Sequence, residues 1–240
     1  CPLQSIEVLQ RKALKMILDV SKTTPNEILY IETGFSNLKP TIQKRQLKFF
    51  QKMKQDCTNN PTSAISVIFH QALHENIQFL RHYKNLKQTY FTPQQCFDVQ
   101  IEEHKRKCTE KLVEKFNTDP DSPLGTYYQI NPEFKVPEFT YNLSCSELDR
   151  KTLSRYRTGC HKLKIHTGRF ASEGRDLRLC SCGTDVQTLS HVLFSCPTTL
   201  DIRRSQHMQE TTLTAFFNDN DYIKTSSILR AIAKKLKIEL

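Results

Sequence analysis

The chain has no tryptophan and only 6 glycines among its 240 residues. Scarce glycine, set against abundant Lys, Gln, Leu and Glu, favours helix over sheet. No run alternates apolar and polar residues for long enough to argue for strands. No stretch approaches the roughly 18 uncharged apolar residues of a membrane span, so no membrane is expected as a partner. No secretory leader is visible. Gly-rich phosphate loops and Ser-His-Asp patterns are missing, which removes the usual grounds for an independent enzyme or a small-molecule substrate. The adjacent pair Cys160-His161 is a poor nucleophile and base, because neighbouring side chains rarely align that way. There is no internal repeat.

A disulfide scaffold is also excluded. Nine cysteines is an odd number, and Cys1, Cys57, Cys96, Cys108, Cys145 and Cys160 are scattered. Secreted disulfide scaffolds are shorter, denser and usually even-numbered. The expectation is a reducing, intracellular setting, cytoplasm and nucleus. Cys1, standing where an initiator Met would, leads us to expect a fragment of a longer open reading frame.

What the chain has is positive charge. Its net charge is +10 and its isoelectric point is near 9.2. That balance attracts a polyanion, most simply nucleic acid, with a merely solvated basic surface as the alternative. Two stretches concentrate it. Lys39 to Lys54 holds six basic residues and no acid, with Lys44, Lys48 and Lys52 recurring every fourth residue. On a helix these lie opposite Ile42, Phe49 and Met53. The second stretch holds Arg150, Lys151, Arg155, Arg157, Lys162, Lys164, Arg169, Arg175 and Arg178 against Glu173 and Asp176, a local +7. Arginine forks suit phosphate oxygens and lysine adds point charge. Tyr156, His161, His166 and Phe170 are interleaved and can stack on unpaired bases, Tyr156 least because its helical position turns inward.

Directly after Arg178 comes the densest cluster of metal-ligand residues in the chain. Cys180, Cys182, His191 and Cys196 are spaced C-x-C-x8-H-x4-C. Zinc takes about four N or S ligands in a tetrahedron, and a local Cys/His cluster supplies them. Gly183 can adopt the positive dihedral that a tight turn after Cys182 needs. A helix is expected from Thr188, with Leu189, Val192 and Leu193 on one stripe and His191 off it. On a continuous helix His191 and Cys196 would be about 140° apart, too far to share an ion. Pro197 resolves this, because the residue before proline is pushed out of the helical region. Buried thiols beside a surface histidine are the bland alternative.

Helix-start signals divide the chain. Thr24-Pro25-Asn26-Glu27, Thr92-Pro93-Gln94-Gln95 and Ser144-Cys145-Ser146-Glu147 read as capping boxes, and Asn60-Pro61 as a further start. Ile6, Leu9, Ala13, Ile17 and Val20 mark one face of a first helix. Gly34 caps a second. Residues 61–90 and 93–117 read as longer helices. A last helix, Asp221 to Ile238, should turn Ile223, Ile228, Ala231 and Leu236 inward. On the helix after Ser144, residues Cys145, Leu148, Thr152 and Tyr156 should face in, and Arg150, Ser154 and Arg157 out. Four prolines between Asp119 and Phe139 suggest a linker or wrapping loop. The expected organisation is a helical region over 1–118, that Pro-rich connector over 119–139, a basic helix-loop with the zinc knuckle over 140–204, and a helical tail over 205–240. The fold class is mostly α.

The stretch Arg155-Tyr156-Arg157-Thr158-Gly159-Cys160-His161-Lys162-Leu163-Lys164-Ile165-His166-Thr167-Gly168-Arg169 resembles the "R-x-R-x-x-x-H-x-L-x-I-x-x-G-R" pattern of non-LTR (LINE-like) retrotransposon reverse transcriptases. There it precedes a Cys-Cys-His-Cys motif, similar to Cys180 through His191-Val192-Leu193-Phe194-Ser195-Cys196-Pro197. Leu9 to Leu18, Thr24-Pro25 and Ile31-Glu32-Thr33-Gly34 resemble the helical region after the polymerase core. The resemblance covers about residues 3 to 204 and is specific around Arg155 to Pro197. It implies a parent RNA-directed DNA polymerase, with this segment C-terminal to the catalytic core. Polymerase catalysis needs paired aspartates holding two metal ions, and no Asp-Asp pair occurs here; Asp219-Asn220-Asp221 is only a helix start. The residues after Cys196 are too few for the endonuclease that some members carry.

The resulting expectation is a helical module with a structural zinc and no catalytic centre, binding RNA or DNA beside the rest of the reverse transcriptase. A structural or protein-interaction module, in which zinc is only a staple and the basic faces dock protein, is the other reading.

Overall fold

The computed structural model describes residues 2–75, 81, 85, 92–218 and 220–238. The fold is mostly helical, as the composition predicts. Among the described residues the β-structure is limited to one isolated bridge, Leu179 to Val186. Helices α1 (Pro2–Leu18), α2 (Asn26–Thr33), α3 (Leu38–Asn59), α4 (Ala64–His74) and α5 (Pro93–Thr118) are followed by α6 (Pro123–Ile130), α7 (Glu147–Arg157) and α8 (Lys164–Phe170). After the cysteine cluster come α9 (Leu200–Ser205), α10 (Leu213–Phe217) and α11 (Tyr222–Lys235). Among the described residues no helix is long and apolar enough to cross a membrane. The later part of the helix expected over 61–90, together with Cys1 and Asp219, lies outside the described residues.

The chain forms two compact units, one of residues 1–10 and 36–107 and the other of residues 11–35 and 108–240. This grouping cuts across the expected 118/140 boundary. In the first unit Leu47, Phe50, Cys57, Phe69 and Cys96 form the buried cluster. Lys44 donates to Gln94 at 2.6 Å and lies over the Phe97 ring, while Lys48 and Lys52 are exposed. Phe49 is exposed and Leu47 and Phe50 are buried, so the buried face of α3 is rotated from the predicted one.

The second unit holds the larger core, which runs from Ile130 and Phe139 through Tyr156 and Leu163 to Ile228 and Ile232. The starts of α6, α7, α10 and α11 use side-chain caps. Ser146 Oγ accepts from Asp149 N at 3.1 Å, which places the cap two residues later than expected. Thr92 in the first unit does cap its helix, accepting from Gln95 N at 3.0 Å. Thr24 does not, because its hydroxyl meets the Cys160 thiol at 2.8 Å. The 119–139 segment is more ordered than a linker. Ser122 Oγ accepts from Gly125 N at 3.0 Å and starts α6, whose Leu124 and Tyr127 pack on Ile28 and Leu112. Gly125 has no room for a side chain, since a Cβ there would lie 2.5 Å from the Asp119 carbonyl.

Helical phase was the weakest expectation. The buried positions of α1 include Leu14 and Leu18, whereas Ile6, Leu9 and Ile17 are exposed. In α11 Ile228, Leu229, Ile232 and Ala233 are buried, while Ile223 and Ala231 are exposed. In α7 Leu148 is exposed and Ser154 and Arg157 are buried. The reason in α7 is packing on two sides. The helix lies against α11, and its Arg157 reaches Glu32 of α2, so most of its C-terminal half is covered and Arg155 alone there is partly exposed.

Candidate metal centre and basic surface

Three local devices bring Cys180, Cys182, His191 and Cys196 together. The first is a small hairpin. Cys180 N donates to Asp185 O at 2.8 Å, Gln187 N to Arg178 O at 2.9 Å, and Gly183 N to Cys180 O at 2.9 Å. Gly183 has φ of 75° and open space around it, so conformation rather than crowding favours glycine there. The second device is a widened helical turn. Residues His191–Ser195 form a π turn, with Cys196 N donating to His191 O at 2.8 Å. A five-residue bond of this kind brings residues five apart back toward one side, which an α-turn does not. The third is Pro197. Cys196 is extended at φ −63° and ψ 124°, as the pre-proline position requires. Thr199 Oγ1 donates to Val192 O at 2.8 Å and satisfies a carbonyl that the broken helix leaves open.

The ligand atoms all lie within 4.8 Å of one another, a group that could hold a metal ion. Cys180 Sγ is 3.7 Å from Cys196 Sγ, and Cys182 Sγ is 3.3 Å from His191 Nε2. Cys180, His191 and Cys196 are buried and Cys182 is half-buried. Among the described residues no cysteine forms a disulfide. Burial pushes the Cys180 thiol pKa up. Burial also opposes ionisation of Cys182, but bonds from Thr184, His191 and Cys180 outweigh it and lower its pKa to about 6. Asp185 places a carboxylate oxygen 3.9 Å from His191 Nδ1, close enough to favour a ring orientation that turns Nε2 toward the thiols.

Compared with family models, with curated proteins and with solved structures, the chain matches none.

The second basic stretch is largely occupied within its own unit. Arg157, predicted to face out, is buried and bonds both oxygens of Glu32, at 2.7 to 3.1 Å. Arg155 pairs with Asp19 at 2.8 Å, Arg169 with Asp119 at 3.2 Å, and Arg175 with Asp121. Lys151 pairs with Glu147 at 2.7 Å. Arg178 folds back to donate to the carbonyls of Glu173 and Ile165. Arg150 is half-buried, and Lys162 and Lys164 are exposed. His161 and His166 do not offer themselves to bases. Both are buried, their rings 4.7 Å apart, with Tyr156 stacked 5.2 Å from His161. Burial lowers both imidazole pKa values, that of His166 to about 4, so both are neutral. Of the four predicted stacking residues only Phe170 is exposed.

Glu32, Asp19, Asp119, Asp121 and Thr199 were not anticipated. Glu32 alone left a signal, a single charge closing the apolar run Ile28-Leu29-Tyr30-Ile31. The aspartates lie far along the chain from their arginines, and nothing local marks them.

Proposed function

We propose that the chain is a zinc-stapled nucleic-acid-binding module, the C-terminal segment of a retrotransposon RNA-directed DNA polymerase. The observation that carries this reading is the convergence of three sulfurs and one imidazole in a knuckle continuous with a basic segment. Tetrahedral zinc, at about 2.3 Å from sulfur and about 2.0–2.1 Å from nitrogen, needs ligand edges of about 3.5–3.8 Å. The sulfur pair at 3.7 Å fits, and the sulfur–nitrogen pair at 3.3 Å needs only a small opening. When bound, zinc would supply a four-way cross-link worth about 10–16 kcal/mol of apparent folding energy. Cys180, Cys182, His191 and Cys196 would hold it, leaving no open position for chemistry, so the metal is structural. The partners are RNA or DNA and the rest of the polymerase polypeptide, in the cytoplasm and nucleus.

Native mass spectrometry with and without chelator tests the metal, with one zinc per chain expected. A metal-free protein that is fully folded removes the staple. Binding of RNA and DNA across a salt series tests the partner. Each phosphate contact steepens the log–log slope by about 0.9 on duplex DNA or about 0.7 on single strands. An affinity indifferent to salt rules out phosphate recognition.

One observation counts against arginine-to-phosphate contact and leaves room for the second reading, in which zinc is only a staple. Arg155, Arg157, Arg169 and Arg175 already have carboxylate partners in their own unit. Cys196→Ser separates the two. Lost RNA binding with helicity intact favours a direct role for the knuckle, and global unfolding favours the staple.

A further inference from the structure

Cys180 and Cys196 lie in the core of the second unit, 3% and 0% exposed. They belong to different devices. Cys180 stands on the hairpin, and Cys196 follows the π turn where Pro197 redirects the chain. Their sulfurs are 3.7 Å apart, close to the edge of a zinc tetrahedron. A disulfide holds the same two atoms at about 2.05 Å. An approach of about 1.7 Å therefore separates a zinc-bridged pair from a covalent one. Either link ties the hairpin to the exit of the turn.

Cys182 is placed differently, because it alone of the four ligands is not buried. Oxidation of cysteine follows exposure and thiolate character, and a metal-bound sulfur is a thiolate. Hydrogen peroxide therefore meets Cys182 first. The Cys182 sulfur attacks one peroxide oxygen, so that an S–O bond forms, the O–O bond breaks and hydroxide leaves. The resulting sulfenic acid is a poor zinc ligand. The Cys180 thiolate then attacks the Cys182 sulfur, forming an S–S bond and expelling a second hydroxide. Only Ser181 separates these two cysteines, so their disulfide closes a tight, strained ring. Cys196 attacks the Cys180 sulfur of that ring and returns Cys182 as a thiolate. In sum, Cys180 and Cys196 lose two electrons to peroxide, and two protons from solvent turn the two hydroxides into water.

We propose that the cysteine cluster is a peroxide-sensitive switch, in which a Cys180–Cys196 disulfide replaces zinc as the link between the hairpin and the exit of the turn. This rests on the zinc reading above and adds its regulation. The zinc-loaded full chain is treated with hydrogen peroxide. Released zinc is read with a colorimetric chelator, and disulfides are mapped by peptide mass spectrometry. One Cys180–Cys196 link is expected for each zinc released, and dithiothreitol followed by zinc should restore the loaded form. Amides over residues 178–205 should stay protected in the oxidised chain. In a reduced chain stripped by chelator they should open. Among the described residues Cys160 is the other cysteine that is not buried, so Cys160→Ala should release zinc at the wild-type rate. Zinc lost without the Cys180–Cys196 link, or with only sulfinic acid at Cys182, overturns the switch. So does an oxidised chain whose amides open as far as those of the stripped one. Zinc retained at a peroxide dose that oxidises Cys160 overturns it too, and leaves the zinc reading standing. A chain that holds no zinc before treatment removes the zinc reading, and the switch with it.

Discussion

Arg157 and Glu32 are 2% and 0% exposed, and their pairing lies at the centre of the second unit. Burial alone would lower the arginine pKa, but the charge and hydrogen bonds of Glu32 hold it above its ordinary value. Tyr127 also donates to Glu32 at 2.8 Å, so the carboxylate is well satisfied. Removing one partner leaves a buried charge uncompensated, which costs about 3–5 kcal/mol. Glu32→Ala is therefore expected to lose that much in urea denaturation, and Glu32→Leu with Arg157→Met to recover most of it. A Glu32→Ala loss below about 1 kcal/mol would mean that water reaches the pair. The histidines make a second residue-level prediction. Burial, with repulsion from Arg169 and Arg178, lowers His166 to about 4, and neither ring nitrogen has a hydrogen-bond partner. An unfolded histidine titrates near 6.5, so below that pH the unfolded chain takes up a proton that the fold refuses. Stability is full above about pH 6.5 and falls toward pH 4, by on the order of 3 kcal/mol from His166. His166→Phe should flatten that loss in denaturation curves run from pH 7 to pH 4. An unchanged slope assigns the loss to other groups.

Among the elements, the turn carrying His191 and Cys196 depends on its exit. Thr199 is fully buried, with its hydroxyl shared between Val192 O, Cys196 O and the Arg203 guanidinium. Thr199→Val keeps the shape and removes these bonds, at about 1–3 kcal/mol for the polar groups left unsatisfied. The expected outcome is weaker zinc retention in a chelator competition with helicity near normal. Retention equal to wild type would show that Pro197 alone fixes the turn. The exit of Cys196 was legible because proline acts on its immediate neighbour. The π turn was not, because no single residue signals it. Helical composition made the fold class plain, and the four residues that converge into a group able to hold a metal ion could be read from spacing. Which way each helix faces could not, since a helix such as α7, covered on two sides, has no single apolar stripe. Arg157 was misplaced for that reason: its sequence context is basic and solvated, while its partner lies 125 residues away.

For the molecule as a whole, the two units have separate buried clusters and only one contains the cysteine group. Chelation should therefore raise amide exchange most around residues 178–205. The amides near Leu47, Phe50 and Phe69 should keep their protection. A uniform rise over both units would mean that they unfold together. Charge also acts at this scale. The net +10 is a long-range property, and with several arginines paired internally, Lys48, Lys52 and Lys164 are among the cations left exposed.

The first unit is nested in the sequence of the second, since residues 36–107 interrupt residues 11–35 and 108–240. This sets an order of events during synthesis. At about 5–20 residues per second, roughly 6–25 s pass between Glu32 and Arg157 leaving the ribosome. For that interval Glu32 has no arginine to settle against, while the interrupting residues already have their own core partners. Nascent chains stopped before residue 157 should thus keep the early segment protease-sensitive, and those reaching past Ala233 should protect it.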